Sequence, residues 1–403
     1  MRILIITDGI YPFSMGGSHR LVYELARSLT EEGHYVTCIV PEIDKTSSFS
    51  TNFAGPNITG MRIIRFPINK SNFLSKARSY FKGFLEPVKQ ELASGNYDVL
   101  NVHYLPALVS LLSLPLVNHH VRYTFHGPWA AEYRLSLSGK MDSRTWLIRN
   151  FSRLIFEPAL YFIASNLERI MLKKCDRFLV LSDYMKNILV NTYRIPSDRV
   201  CIVPSGVDHE RFHPGVDLNL RRSLTTDSAT VFVTIRRLEK RMGIDILLLA
   251  CALLKKRHNN FLLLIGGQGP HKPYLTSLII SLGLAEHVKM LGFVPENKLR
   301  DYLATSDLFI LPSRDLEGFG LVVLESLACG TPILVPPSGG PQEVIRKFDI
   351  GFVLDKLTPV ELSNRLLQLI QAGAFTQARE ASATFSSGYS WKKFAAEFAQ
   401  WAK

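Results

Sequence analysis

Apolar positions along this chain fall into short unbroken runs that alternate with stretches of helical spacing. Arg2-Ile-Leu-Ile-Ile-Thr7 is the first run, the pattern of a strand buried on both faces, and a loop containing Gly and Pro follows it to Gly16-Gly17. A helix is expected from about Ser18, because Leu21, Val22, Leu25 and Leu29 share one face and Gly33 stands where a helix stops. Tyr35 to Val40 supplies the next strand.

The alternation continues. Val99–Val102, Val121–Phe125, Phe178–Ser182 and Val200–Pro204 read as further strands. From Ala229 a second series begins, with strands at 231–235, 261–265, 288–291, 308–311 and 333–335 and a helix from Ile244 to about Lys256. Strands alternating with helices imply parallel sheets, so two doubly wound α/β domains are expected. The join should lie between Val203-Pro-Ser-Gly-Val-Asp208 and Pro214, a stretch rich in turn formers. The expected division is 1–205 and 206–389, with the amphipathic helix 390–403 (Trp391, Phe394, Phe398, Trp401) completing the first domain. Ligands of open parallel sheets bind beyond the carboxyl ends of the strands, so two such domains facing a central cleft should gather their chemistry in strand-to-helix loops.

Length agrees with that division, since 403 residues exceed what one core usually organises. A net charge of +12 favours an anionic partner: nucleic acid, an anionic membrane or a phosphorylated substrate. The basic residues form no nucleic-acid recognition motif, which leaves phosphate or membrane. Five cysteines without a Cys-x-x-Cys pair suit neither a disulfide framework nor a zinc site and read as reduced thiols. The amino terminus lacks the regions of a signal peptide, and the longest uncharged run, Leu105–Val117, is too short to cross a bilayer. A cytoplasmic protein is expected. Two segments, Ser71–Leu92 and Arg144–Lys174, mix aromatic with basic residues and suit either a helix packed on the sheet or peripheral contact with an anionic membrane at the inner face of the plasma membrane.

Candidate chemistry concentrates in Ser313-Arg-Asp-Leu-Glu-Gly-Phe-Gly-Leu-Val-Val-Leu-Glu325. It reads as a strand end, a glycine-rich loop and a helix from about Gly320 to Cys329. Free amides at that helix start, with Gly318 and Gly320 permitting close approach, suit a diphosphate. Glu317 in the loop and Glu325 in the helix point in different directions, so they serve different hydroxyl groups rather than forming an acid/base pair. On spacing alone, an ordinary capped helix with surface acids fits equally well.

This segment resembles the Glu-x7-Glu motif of the retaining GT-B-fold glycosyltransferases of family four. Further motifs match in the same order along nearly the whole chain: Gly16-Gly17, His126-Gly127, Val203-Pro-Ser-Gly-Val-Asp208, Gly267-Gln-Gly-Pro270 and Ser338-Gly-Gly340. The resemblance implies transfer of a hexose from a nucleoside diphosphate sugar, with UDP favoured, in envelope or exopolysaccharide synthesis. The acceptor would be a polysaccharide, a lipid-linked sugar or a glycolipid, and the reaction would use no metal and no cofactor. Carried over residue by residue, it gives Glu325 the ribose, Glu317 the sugar hydroxyls, and the backbone of Phe319, Gly320 and Leu321 the sugar and phosphates. Gly16, Gly17 and Gly267 would line the donor site, and His126 would touch the donor sugar; His103 is a second histidine at a strand end. In Arg236-Arg-Leu-Glu-Lys-Arg-Met-Gly243, which resembles the family's Arg-Leu-x-x-x-Lys-Gly, Arg237 becomes the first phosphate cation. Met242 occupies the lysine's place, leaving Arg241 as the substitute. Competing readings are a catalytically silent GT-B scaffold at a membrane and a GT-B epimerase.

Overall fold

The computed structural model describes residues 1–42, 59–69, 71, 73–111, 114, 121–138, 158, 161–225, 228–348 and 351–403. The chain divides into two compact units. One holds Met1–Ala131, Phe151–Ser205 and Trp391–Lys403; the other holds Glu132–Asn150 and Gly206–Ser390.

The first unit is a seven-stranded parallel sheet with strands β1 Arg2–Ile6, β2 Tyr35–Glu42, β3 Met61–Pro67, β4 Val99–Val102, β5 Val121–Thr124, β6 Arg177–Val180 and β7 Val200–Ile202. Their spatial order is β3-β2-β1-β4-β5-β6-β7. The second is a six-stranded parallel sheet of β8 Thr230–Ile235, β9 Phe261–Gly266, β10 Val288–Gly292, β11 Leu308–Ile310, β12 Ile333–Val335 and β13 Phe352–Val353, in the order β10-β9-β8-β11-β12-β13. Both orders reverse once: between β1 and β4 in the first sheet, and between β8 and β11 in the second. That reversal opens a crevice at the carboxyl ends of the flanking strands.

The expected strands are present, and two more appear at edges. β3 carries Arg62 and Arg65 and has a single buried residue, Phe66, while β13 has only two residues, so neither shows the unbroken apolar run of a strand covered on both faces. The central strands do: β9 is buried throughout.

Helix Gly17–Glu31 buries Leu21, Val22, Leu25, Ala26 and Leu29, as its spacing requires, and Gly33 at φ 84° follows its end. Helix Trp391–Ala402 lies in the first unit, where it packs against Gly17–Glu31 and buries Trp391, Phe394, Phe398 and Trp401. Each such side chain stabilises the unit by roughly 1.5–3 kcal/mol.

The two aromatic and basic segments differ. Helix Phe73–Ser94 directs Tyr80, Phe84, Val88 and Leu92 onto the core of the first sheet, with Phe84 against Phe66 at 4.8 Å between ring centroids, and leaves Phe81 exposed. Of Arg144–Lys174, residues 144–157, 159 and 160 lie outside the described residues. Its helical part from residue 161 exposes Phe162, Ile163, Leu167 and Ile170. No helix among the described residues is long and apolar enough to cross a membrane.

Candidate functional site

Each sheet reversal carries a polar cluster. In the second unit, Arg236 follows β8 directly and β11 leads through Ser313 into the glycine-rich loop. Arg236, its side chain only 7% exposed, donates from Nη2 to Glu317 Oε2 at 2.5 Å and from Nη1 to Ser313 Oγ at 2.7 Å. Ser313 Oγ in turn donates to Glu317 Oε2 at 3.0 Å. Burial pushes the Glu317 carboxyl up. The Arg236 guanidinium, its hydrogen bond, the Ser313 hydroxyl and the charge of Arg241 outweigh that and hold it below the usual carboxylate range. Glu317 is therefore a fixed anion, with Oε2 fully engaged.

Backbone geometry turns this glutamate away from the helix that follows. Leu316 sits at φ 55°, a left-handed conformation that costs a non-glycine residue on the order of 1 kcal/mol, and strain of this kind gathers at functional sites. The helix spans Leu321–Ala328 with Gly320 as its amino cap at φ 75°. A Cβ on Gly320 would stand 3.4 Å from Glu317 Oε1, so the second carboxylate oxygen lies over the helix start. Phe319 is buried; Leu321 and Glu325 are half-exposed on the helix's first two turns. The loop at Gly339-Gly340 braces this arrangement. Gly340 N donates to Glu317 O at 3.0 Å, and a Cβ on Gly340 would fall 2.0 Å from Gly318 O.

Gly267 and the two proposed phosphate cations sit on the same side of the sheet. At φ 130°, Gly267 passes so close to Arg236 that a Cβ would lie 1.8 Å from its carbonyl oxygen; its glycine is demanded by that contact alone. Arg237 is 72% exposed with Nε 3.5 Å from Glu239 Oε1, and Arg241 places Nε 3.3 Å from Glu239 Oε2. One carboxylate thus gathers both guanidinium groups. Met242 is buried in the core of the second unit, pointing away from this group. Arg314 grips Asp245 with two bonds, at 2.8 and 2.7 Å, and so tethers the same loop.

In the first unit the reversal between β1 and β4 collects Asp8, His19, His103 and His126. Asp8 follows β1, and its Oδ1 lies 3.3 Å from His19 Nε2 in the first turn of Gly17–Glu31. Burial raises the Asp8 carboxyl, but His19 and then His126 draw it below its ordinary value. His126, beyond β5, lies 3.0 Å through Nε2 from Nδ1 of His103, which follows β4. Burial drives the His126 imidazole down to about 4, with Asp8 opposing and His19 adding to the shift, so the ring is neutral near pH 7. His103 is 5% exposed, and its two ring nitrogens face His126 and Asn101. Gly16 caps the helix in extended backbone with His19 close behind it; at Gly17 a Cβ would meet only open space.

Sequence reasoning missed Asp8, His19, Arg236 and Ser313 as site residues. The signal of Asp8, Arg236 and Ser313 is position after a strand beside the reversal, and that of His19 is the start of the helix that follows β1; neither can be read before strand order is known.

Comparison with known proteins agrees with the fold. Two family models match in succession, "Glycosyltransferase Family 4" over residues 15–211 and "Glycosyl transferases group 1" over 217–384. The chain belongs to this glycosyltransferase family and is a transferase with the GT-B fold. It is 25% identical, over 98% of its length and 96% of the relative's, to an uncharacterized glycosyltransferase of Methanocaldococcus jannaschii. Over 40% of the chain and 44% of the relative it is 35% identical to a GDP-mannose-dependent alpha-(1-6)-phosphatidylinositol monomannoside mannosyltransferase of Mycolicibacterium smegmatis. Among solved structures, HepE of Anabaena in complex with UDP-glucose superposes with a TM-score of 0.73 at 19% identity, covering 99% of this chain and 98% of that one.

Proposed function

We propose that this glycosyltransferase moves a hexose from a nucleoside diphosphate sugar, with retention at the anomeric carbon and without a metal ion, to a polysaccharide, lipid-linked or glycolipid acceptor. The observation that carries the reading is Glu317, a carboxylate fixed as an anion by Arg236 and Ser313 and with Oε1 over the amino end of helix Leu321–Ala328. Helix amides there suit phosphate oxygens, and Oε1 suits a sugar hydroxyl. Glu325, on the helix, would accept hydrogen bonds from the ribose. Gly267 would line the same donor site. Breaking the glycosidic bond collects negative charge on the diphosphate, and Arg237 and Arg241, poised on Glu239, would receive it.

The second unit would hold the donor and the first the acceptor. In the first unit, Gly16 and Gly17 would approach the diphosphate and His126 the sugar. Among the described residues the further carboxylates of the second cluster, Glu239 and Asp245, are held by Arg237, Arg241 and Arg314, and none stands out as a nucleophile, so we favour a front-face reaction in which the leaving phosphate helps to deprotonate the acceptor. Trapping of a glycosyl adduct on a carboxylate would overturn that route.

UDP is favoured over GDP, although the relatives include one named for GDP-mannose and a structure with UDP-glucose. A thermal-shift panel of UDP-, GDP- and ADP-sugars decides the base, and Glu325→Ala is expected to abolish the shift; normal binding by that variant would sink the assignment. Peripheral contact with an anionic membrane is supported by the exposed Phe162, Ile163, Leu167 and Ile170 beside Arg169, Lys173 and Lys174. Sedimentation with anionic but not neutral vesicles is the expected result, and equal recovery with both argues against it.

A further inference from the structure

Behind His126 stand two buried polar residues that the reaction above leaves without a task, His103 and Asn101. Asn101 is fully buried on β4. Its amide nitrogen lies 3.4 Å from the carbonyl oxygen of Arg122 and 3.1 Å from Thr124 Oγ1. A backbone carbonyl only accepts, so the NH2 group must be on that side and Oδ1 on the other. Oδ1 is the atom bonded to His103 Nε2.

An amide oxygen also only accepts, so His103 Nε2 carries a hydrogen. Burial, with the charge of His126 acting in the same direction, holds the His103 ring well below the ordinary imidazole range, and it is neutral. A neutral imidazole has one hydrogen, already placed on Nε2, so Nδ1 is an acceptor. The atom 3.0 Å from that Nδ1 is His126 Nε2, which must therefore be the donor. His126 is then left with an unprotonated Nδ1.

We propose that Asn101 and His103 are positioning residues that lock His126 in its Nε2–H tautomer, so that its Nδ1 meets a ligand as a hydrogen-bond acceptor. The partner class this selects is a hydroxyl, which donates a hydrogen bond, and not a phosphate oxygen, which accepts one. The assignment rests on the reading of His126 as a sugar contact, which it sharpens: the imidazole meets a sugar hydroxyl and not a phosphate oxygen. Orientation of a histidine by the partner of its other nitrogen is a familiar device wherever one tautomer is required.

The test is long-range proton–nitrogen NMR of the full chain labelled with 15N-histidine, at pH 7 and without ligand, the two rings being assigned through His103→Gln and His126→Gln. Both rings are expected to show a protonated Nε2 and a bare Nδ1. A bare Nε2 on His126, or a doubly protonated ring at either position, overturns the proposal. Asn101→Asp supplies a carboxylate that holds His103 as an imidazolium; its Nδ1–H then donates, and the hydrogen on His126 is expected to move to Nδ1. In that variant nucleotide-sugar affinity should fall about tenfold, the scale of one hydrogen bond replaced by two opposed donors. An unchanged His126 pattern would refute the relay. If Asn101→Asp does not fold, Asn101→Ser frees the His103 ring, and mixed tautomers at His126 are expected where a pure Nε2–H pattern would refute it. Failure of every nucleotide sugar to bind would remove the proposed function while leaving the tautomers of the free protein as they are, so the two ideas fail separately.

Discussion

The two units solve one architectural problem with opposite chemistry. Each is a parallel sheet whose strand order reverses once, and each places polar residues at the strand ends beside the reversal. The first unit fills its crevice with rings kept neutral by burial, His103 and His126, together with Asp8 and His19. The second fills its crevice with permanent charge, Arg236 on Glu317 and Arg314 on Asp245, and with Arg237 and Arg241 over Glu239. The difference teaches that a fold used twice fixes where a site lies and leaves its electrostatics to the few side chains that follow the strands. Neutral rings suit directional recognition of hydroxyls. Fixed charges suit a leaving group that gains negative charge.

The sharpest way to break this comparison is Arg236→Met. It strips the buried counterion from Glu317 and should destabilise the second unit by about 3–5 kcal/mol, the usual cost of leaving a buried charge unpaired. Urea unfolding measures it, and Arg236→Met combined with Glu317→Gln should recover most of the loss. A cost under about 1 kcal/mol would show that the pair is solvated and the contrast between the units false.

Acid titration separates the units next. His126 has a folded pKa near 4 against an ordinary 6.5, so the unfolded chain takes up a proton in that interval and the folded chain does not. Its contribution is complete above pH 6.5 and falls away as the pH drops to 4, by about 3 kcal/mol. Glu317 runs differently. Its carboxyl is depressed, so its contribution stands above the ordinary carboxylate range and is lost only as pH falls through its lower folded value. Hydrogen exchange at pH 5 should therefore accelerate in β4 and β5 before β8 and β11. Equal acceleration in both sheets would remove the distinction.

The smallest effect on stability belongs to Arg237→Ala. Its ion pair with Glu239 is mostly exposed, and thermal unfolding should shift by less than about 1 kcal/mol. Nucleotide-sugar affinity should drop about tenfold if this guanidinium receives phosphate charge. Unaltered affinity would move the cationic role to Arg241 alone.

Much of this contrast was legible along the chain, for reasons specific to each element. β1, β8 and β9 are covered on both faces over their middle positions, so a nearly unbroken apolar run marks each strand. β3 and β13 lie at sheet edges, where one side meets solvent and the apolar run breaks, and they did not declare themselves. The basic and aromatic helix Phe73–Ser94 had two readings, and the sheet beneath it took up Phe84 and Val88. Glu317, Glu325 and His126 stood out because a carboxylate beside glycines, or a histidine after an apolar strand, is visible locally.

The sequence by itself determined two parallel α/β units, the central strands, and the glycine-rich loop that delivers Glu317 to a helix start, because hydrophobic period and turn chemistry act between near neighbours. Only the tertiary structure decided that Arg236 rather than Arg237 grips Glu317, that Met242 joins the core, and that Asn101 stands behind His103 and His126. Those partners are 81 and 25 residues apart at most within their clusters, and which strand ends meet is fixed by strand order, a choice made by packing whole layers and written in no local pattern.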